Sequence, residues 1–422
     1  MPDVPLYSAT SSQLVDHLFR HEAGRMASVL TCLLGFDQIE LADDIVQETM
    51  VQALQSWPFR GVPDNPRAWL YRVAKNKALD VVRLESRFRQ IRSEVEYLHQ
   101  QESVEAMINQ HFFDDEITDS QLRMLFAVCH PAIGAESQMA MCLKILCGLS
   151  VREIASAFLT SEETITKRLF RAKEKIRHDA IRLEVPTGSQ LVSRVDSVLK
   201  SIYLLFNEGY NSSHPDTLIR RDLCEEALRL GLLLAETPKT QLPTVDALLA
   251  LMCFQSARFD ARTDDAGAIV LLADQDRSRW SQALMQKGHY YLNRSAAGDL
   301  LSEYHLEAGI AMQHCIAPAY DATNWSTILT YYDLLLRIKP SPVVALHRAV
   351  AVANVKGPSV AISEVLALCG LANNHLFYAV LGNLYQQNQQ REEARKSYER
   401  ARELTTSVGE QALLDRKLKQ LQ

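Results

Sequence analysis

The sequence predicts an all-α protein, and three observations support this. Leu and Ala dominate the apolar residues, which make up 47% of the 422-residue chain. Gly and Pro, with 16 and 14 copies, are sparse, and no stretch alternates Val, Ile and Thr with polar residues. Leu and Ala favour helices, whereas a half-buried strand needs that period-two alternation. The length allows two to four domains, each large enough to bury a core.

Composition also excludes several protein classes. The opening stretch MPDVPLYSATSSQ lacks the charged start and apolar run of a signal peptide, and no apolar run is long enough for a membrane span. The eight Cys are scattered, which indicates reduced thiols in a cytoplasmic protein. The 12 His do not cluster at metal-ligand spacing, and no phosphate loop or nucleophile elbow appears. We therefore predict no catalytic residue, metal, cofactor or enzyme activity.

Positive charge is concentrated in two places, although the formal net charge is -6. Residues 67–92 contain eight Lys or Arg against two Asp or Glu, and residues 151–177 contain seven against four. The acidic, weakly patterned stretch between them predicts a linker, and Pro186 and Gly188 end the helical pattern that follows. The predicted parts are residues 10–92, a linker at 93–118, residues 119–182 and residues 184–422.

The segment ADDIVQETMVQALQSW, residues 42–57, predicts an amphipathic helix. Five apolar residues are predicted to pack: Ile45, Val46, Met50, Ala53 and Leu54. The polar face that remains carries Asp44, Gln47, Glu48 and Gln52. Acidic and amide side chains suit a basic protein partner, although a solvated surface is the simpler interpretation.

A second helix is predicted over residues 67–87, within NPRAWLYRVAKNKALDVVR and the residues after it. Its apolar side, with Trp69, Leu70, Val73 and Leu84, is predicted to face a core. Basic residues, aromatic rings and loop amides together suit single-stranded DNA. Asn76, Asp80 and Arg83 line one edge of this helix, where they either contact a ligand or fix the helix in its domain.

The stretch VREIASAFLTSEETITKRLFRAKEKIR, residues 151–177, predicts a helix-turn-helix. A first helix runs to Phe158, and Ser161 caps the second helix. Ile165, Leu169, Ala172 and Ile176 form an inward stripe. The outward face is predicted to be polar and basic, which suits the major groove. It carries Glu163, Thr166, Lys167, Phe170 and Arg171, with Thr164 and Arg168 on its flanks. A plain amphipathic helix pair is the alternative.

The C-terminal part predicts helical repeats. In YAVLGNLYQQNQQREEARKSYERARELT, residues 378–405, the Tyr, Gly and Ala residues follow the spacing of a tetratricopeptide helix pair, and an ordinary helical hairpin is the alternative. Tyr203, Phe206 and Tyr210 in YLLFNEGY recur at helical spacing, which favours core packing over a ligand groove. The neighbouring Asn207 and Glu208 are unusual for a core helix and have no predicted chemistry.

The first two helical motifs resemble region 2 of sigma-70 family RNA polymerase sigma factors, in the extracytoplasmic-function (ECF) group. The stretch MAMCLKILCGLSVREIASAFLTSEETITKRLFRAKEKIR resembles region 4. Both motifs occur in the expected order within residues 10–182. The remainder resembles the long extension of one ECF subgroup, which ends in tetratricopeptide-like repeats.

The resemblance implies a role for each candidate residue. It implies that core RNA polymerase is bound by Asp44, Gln47, Glu48 and Gln52. It implies that the single-stranded −10 promoter element is bound by Trp57, Arg67, Arg72, Lys75, Asn76 and Arg83. It implies that the duplex −35 element is bound by Thr164, Thr166, Lys167, Arg168 and Arg171.

The sequence thus predicts an ECF sigma factor that gives core RNA polymerase its promoter specificity. The extension is expected to regulate this activity and to offer a surface to a protein or peptide ligand. Two alternatives remain open: a helix-turn-helix regulator that acts without polymerase, and a tetratricopeptide scaffold.

Overall fold

The structure is a computed structural model that describes residues 11–90, 114–158, 160–187, 189–211, 219–265 and 267–421. These residues form eighteen α-helices and no β-sheet, apart from one isolated bridge between Thr263 and Ile269. The all-α prediction is confirmed. In the described parts of the chain, no helix combines the length and apolar character that a bilayer crossing requires. The chain divides into two compact units, Met1–Ser201 (unit 1) and Ile202–Gln422 (unit 2).

Unit 1 begins with three long helices: α1 (Ser11–Leu34), α2 (Ile39–Arg60) and α3 (Pro66–Gln90). Four shorter helices follow: α4 (Asp114–Val128), α5 (Ala135–Met141), α6 (Val151–Ala157) and α7 (Glu162–His178). Helix α5 continues into a π-helical turn, Cys142–Leu146. Helix α8 (Ser189–Tyr210) begins in unit 1 and ends in unit 2. The first five residues of α4 fall within the predicted linker 93–118, and residues 93–113 lie outside the described residues.

Helices α1 to α3 form one core. Gly35 and Gly61 have φ angles of 94° and 81°, a conformation that favours glycine, and they mark the ends of α1 and α2. Helix α3 begins at Pro66, and Asn65 caps it by accepting the Ala68 amide at 2.9 Å. Buried side chains from all three helices then pack together, among them Met26, Leu30, Val46, Met50 and Leu70.

A buried polar contact fixes α1 to α3. The Tyr71 hydroxyl donates a hydrogen bond of 2.8 Å to the Glu22 carboxylate, and Arg67 approaches the same carboxylate at 3.3 Å. Desolvation, followed by the charge of Glu22, raises the pKa of Tyr71, so the hydroxyl stays protonated and remains a donor. Because buried polar groups need partners, this hydrogen bond helps to hold α1 and α3 together.

The helix-turn-helix prediction agrees with the local structure of α6 and α7. The Ser161 side chain accepts the Thr164 amide at 3.1 Å, as an N-cap does, and Glu162 and Glu163 lie in the first turn. The inward stripe is confirmed, because α7 buries Ile165, Leu169, Ala172 and Ile176. The stripe therefore fixes which face of α7 remains available to a ligand.

Helix α1 also packs against α4 and the π-helical turn, so that segments 10–92 and 119–182 share one compact unit. At Gly24 an added Cβ would lie 1.8 Å from the Leu146 carbonyl oxygen. Two ion pairs join α2 to the same part of the unit. Lys144 of the π-helical turn pairs with Asp43 at 2.8 Å, and Lys173 of α7 pairs with Glu40 at 2.9 Å. Only glycine allows the backbone of α1 to approach so closely.

Unit 2 contains the end of α8 and ten further helices in its described residues. They are α9 (Arg221–Glu236), α10 (Pro243–Ser256), α11 (Gln282–Ser295), α12 (Glu303–Ile316), α13 (Trp325–Ile338), α14 (Pro342–Lys356), α15 (Pro358–Leu366), α16 (His375–Gln387), α17 (Arg391–Leu404) and α18 (Val408–Gln420).

Helices α16 and α17 form a closely packed pair at the position where the sequence predicts a repeat. An added Cβ on Gly382 would lie 2.5 Å from the Tyr398 ring, and Ala394 and Ala401 are fully buried beside it. Small residues thus allow a large ring into the helix interface. This contact fits both a tetratricopeptide pair and an ordinary hairpin, so the repeat assignment stays a prediction.

The close approach of α1 to the Leu146 backbone at Gly24 can be tested by substitution. Gly24→Ala is expected to destabilise unit 1 by about 3 kcal/mol, because the new methyl group meets backbone atoms that cannot rotate away. Hydrogen exchange of the α4 amides in the full chain should become faster. The matched control is Gly134→Ala, where φ is -62° and the added Cβ meets no atom within 4 Å. Unchanged α4 exchange in Gly24→Ala would contradict the close approach.

Candidate polymerase and nucleic-acid interface

The exposed face of α2, here the α2 face, consists of Asp44, Gln47, Glu48, Val51, Gln52 and Leu54. All four residues predicted to bind polymerase lie on it and are exposed. Glu48 also accepts an ion pair from Lys77 of α3 at 2.6 Å. The face therefore combines acidic and amide groups with apolar groups, as a protein-binding surface does.

The prediction that Leu54 packs in the core is wrong. Leu54 is 42% exposed and Val51 is 48% exposed, whereas Ile45, Met50 and Ala53 are buried as predicted. Around the helix axis, Leu54 points about 20° away from Gln47 and about 60° away from Val51, so it falls at the edge of the polar face. These two apolar residues add hydrophobic area to the α2 face without disturbing its helix.

Trp57 lies in the core and not on an accessible surface. Its side chain is 2% exposed, and its ring meets that of Trp69 edge-on with centroids 5.5 Å apart. Trp57 follows Met50 and Ala53 on the buried side of α2, which explains its position. This buried position does not support the prediction that Trp57 contacts DNA, because its ring packs against Trp69 of α3.

Helix α3 presents a row of polar side chains, here the α3 ridge: Arg72, Lys75, Asn76, Asp80 and Arg83. Arg72, Asn76 and Asp80 are exposed, and Lys75 and Arg83 are half-buried. Arg83 lies 3.7 Å from Asp80, one turn earlier. The spacing places these side chains along one face, so a nucleic-acid backbone could meet several of them together.

Arg67 is held at the start of α3 rather than on the ridge. It pairs with Glu22 at 3.3 Å, and its guanidinium lies 5.5 Å from the centre of the Tyr71 ring. Its side chain is nevertheless 41% exposed. Arg67 can therefore add positive charge near the loop before α3 while its orientation is fixed by α1.

On α7 the five predicted −35 residues lie outside the buried stripe, with Thr164 and Arg168 on its flanks. Thr166, Lys167 and Arg171 are exposed, and Thr164 and Arg168 are half-buried. The Thr166 hydroxyl donates to the Glu162 carbonyl at 2.8 Å, which fixes its rotamer. Lys167 pairs with Glu163 at 2.7 Å, and Arg168 pairs with Glu136 at 2.6 Å. Two of the three cations on this face are therefore already paired with carboxylates.

The Lys173 ion pair links α7 to α2. The hydrogen bond and charge of Lys173 lower the pKa of Glu40, which is therefore ionised at neutral pH. Exposed pairs of this kind contribute about 0–1 kcal/mol and weaken with salt. A polyanion could therefore compete for these cations at little energetic cost.

Two exposed aromatic residues were not among the candidate site residues, although Phe170 was predicted to face outward. Phe59 is 89% exposed at the end of α2, and Phe170 is 64% exposed on the outer side of α7. Large exposed rings suit stacking on bases or packing on a protein. The signal in both cases is an aromatic residue directly before an Arg, in PFR and LFR. Among the described residues, no cluster of three His, Cys, Asp or Glu side chains could hold a metal ion.

Comparison with known proteins identifies two regions of the chain. Residues 18–88 match sigma-70 region 2. Residues 194–296 match a family of unknown function, DUF6596. An uncharacterized protein of Rhizobium meliloti is 36% identical over 387 residues, which cover 92% of this chain and 91% of that protein. The chain belongs to the same family as that protein. No solved structure matches the chain.

The region 2 match spans most of α1 to α3 and contains both the α2 face and the α3 ridge. It supports a sigma-70 family sigma factor, and a sigma-70 domain implies interaction with RNA polymerase and promoter DNA. The match ends before α4, so the −35 role of α7 stays a prediction. The ECF assignment and the individual roles of the site residues also stay predictions.

Proposed function

We propose that this protein is an ECF-type sigma factor, which binds core RNA polymerase and directs it to specific promoters. The observation that carries the proposal is the sigma-70 region 2 match over residues 18–88, whose helices expose the α2 face and the α3 ridge. The protein itself would catalyse no reaction. It would act in the cytoplasm, where polymerase and chromosome meet.

In this proposal, each of the three exposed surfaces binds a different partner. The α2 face binds the polymerase through acidic, amide and apolar groups. The α3 ridge binds the single-stranded −10 element by charge, and the exposed Phe59 of α2 offers a ring for base stacking. The outer side of α7 reads the −35 duplex, with Arg171 free to approach phosphates and Lys167 exchanging Glu163 for DNA.

A regulator that acts without polymerase, or a helical scaffold, would leave the region 2 match unexplained. The deciding experiment is in vitro transcription from genomic DNA of the source organism, with purified core polymerase and the full chain. Promoter-specific transcripts that require the chain would support the proposal. DNA binding without polymerase association would favour the regulator, and neither activity would favour the scaffold.

The α2 face generates a prediction about polymerase affinity. Glu48→Arg is expected to weaken binding to core polymerase at least tenfold, or by about 1.4 kcal/mol, because it places a cation against a basic partner. The Glu48 side chain is 65% exposed, so the fold should persist. The control is Glu236→Arg on α9, which is also exposed. Equal polymerase affinity in both variants, measured by fluorescence anisotropy, would contradict this role.

Helix α7 offers a matched pair of lysines. Lys167 pairs with Glu163 at 2.7 Å and Lys175 with Asp179 at 2.8 Å, both at i,i+4 spacing. Lys167→Ala is expected to weaken the use of −35-dependent promoters about tenfold, since each good base contact contributes about 1–3 kcal/mol. Lys175→Ala should reduce it no more than twofold. Equal losses would mean that α7 supplies only general positive charge.

Unit 2 would regulate this activity, since it is a separate compact unit that the region 2 match does not reach. Transcription by the full chain can be compared with that by a chain ending at Ser201. We expect the transcript yield to change at least fivefold: a fall would make unit 2 an activating part, and a rise an inhibitory part. Unchanged yield from a truncated chain that keeps its helical circular dichroism would remove the regulatory role.

A further inference from the structure

Unit 2 contains a cavity of about 370 Å³, which lies among α8, α10, α12, α13 and the first turns of α14. Tyr203, Phe206, Asn207 and Tyr210 of the YLLFNEGY segment all line it. The core interpretation of these aromatic residues is therefore incomplete, because the same helix face also bounds an open space. This size suits a small molecule or one long side chain, at the lower end of typical ligand sites.

Most of the cavity wall is apolar. Phe206 and Leu251 contribute from α8 and α10, and Ile310 and Leu335 contribute from α12 and α13; all four are buried. Tyr332 adds a further ring. A ligand would therefore bury an apolar body against these side chains.

The wall also contains a charged network. The Tyr203 hydroxyl donates to the Glu307 carboxylate at 2.9 Å and is also hydrogen-bonded by Asn207. Lys339 lies 2.5 Å from Glu303 and 4.0 Å from Glu307, with its ammonium 5.2 Å from the centre of the Tyr203 ring. One ammonium is therefore shared by two carboxylates, of which Glu307 lines the cavity, and the three side chains carry a net charge of −1 when both carboxylates are ionised.

Other groups in the wall do not offset this charge. Lys339 is the one Lys or Arg among the described lining residues, and His347 is kept neutral because desolvation lowers its pKa. Gln255 has a buried Oε1 without a hydrogen-bond partner in the described structure. Desolvation raises the pKa of Glu307, which means that its negative charge is incompletely compensated. The wall thus has an unsatisfied acceptor at Gln255 and a carboxylate, Glu307, that shares the Lys339 ammonium with Glu303.

We propose that this cavity binds a primary amine on an apolar stem. The ammonium group would donate to Glu307 and lie near the Tyr203 ring, and the stem would pack against Phe206, Leu251 and Leu335. Aromatic rings and a desolvated carboxylate are the usual surroundings of a bound organic cation. The amine could belong to a free small molecule or to a Lys side chain of a partner. This inference rests on unit 2 alone and does not require the proposed sigma activity.

The test is isothermal titration calorimetry of the full chain at pH 8 with 2-phenylethylamine. Its matched probes are 2-phenylethanol, which lacks the charge, and 3-phenylpropionic acid, which reverses it. We expect saturable binding of the amine and at least tenfold weaker binding of the other two.

A capped pentapeptide of one lysine among alanines, with its norleucine counterpart as control, distinguishes the two sources of the amine. Tighter binding of the lysine peptide than of 2-phenylethylamine indicates a protein partner, and tighter binding of 2-phenylethylamine indicates a small molecule.

Variants then locate the site. Glu307→Gln is expected to weaken amine binding roughly tenfold. Lys339→Gln should strengthen amine binding, because the ammonium of the ligand then takes the place of the Lys339 ammonium. A gain of affinity cannot result from misfolding. Glu392→Gln, on the exposed side of α17, is the control and should change nothing. No binding of either the amine or the lysine peptide, equal binding of the alcohol, or unchanged affinity in Lys339→Gln would each overturn the proposal.

Discussion

The close approach of α1 to the π-helical turn is the constraint on which unit 1 depends. One side of α1 packs into the core that it forms with α2 and α3. Another side packs against α4 and the π-helical turn, which α1 contacts at Gly24. The contact removes any room for a side chain at that position. Helix α1 is therefore shared by the region 2 helices and by the helices that support α7. The orientation of the α2 face relative to α7 follows from this single helix.

This arrangement has a functional consequence for a sigma factor. In the proposed function, the α3 ridge and the outer side of α7 must each reach DNA, yet their supporting helices are joined in one unit. The ion pairs of Lys173 with Glu40 and of Lys144 with Asp43 are individually weak. The contact of α1 with the Leu146 backbone at Gly24 adds an interaction between the two parts that does not depend on charge. Any separation of the two parts would therefore have to be driven by binding to a larger partner, such as the polymerase.

The sequence predicted the features that depend on local chemistry. The cap at Ser161 and the stripe from Ile165 to Ile176 follow from short-range rules, and both are present in the structure. Leu54 lies at the margin of the apolar stripe of α2, where contacts with distant helices decide whether a side chain is covered. Trp57 continues that stripe after Met50 and Ala53, and its predicted contact with DNA came from the family resemblance and not from the local pattern. The Glu22–Tyr71 hydrogen bond joins residues far apart in the chain, so no local pattern could predict it.

The YLLFNEGY segment shows how one short motif can serve several physical roles. Gly209 gives α8 room to approach α9, since an added Cβ would lie 2.7 Å from the Cys224 sulfur. Phe206 is buried and stacks with Tyr210, with ring centroids 5.9 Å apart. Asn207 is then left on the cavity side, where its amide reaches the Tyr203 hydroxyl. A motif needed only for packing would not require an amide there, so the polar residue is better explained by the cavity than by the core.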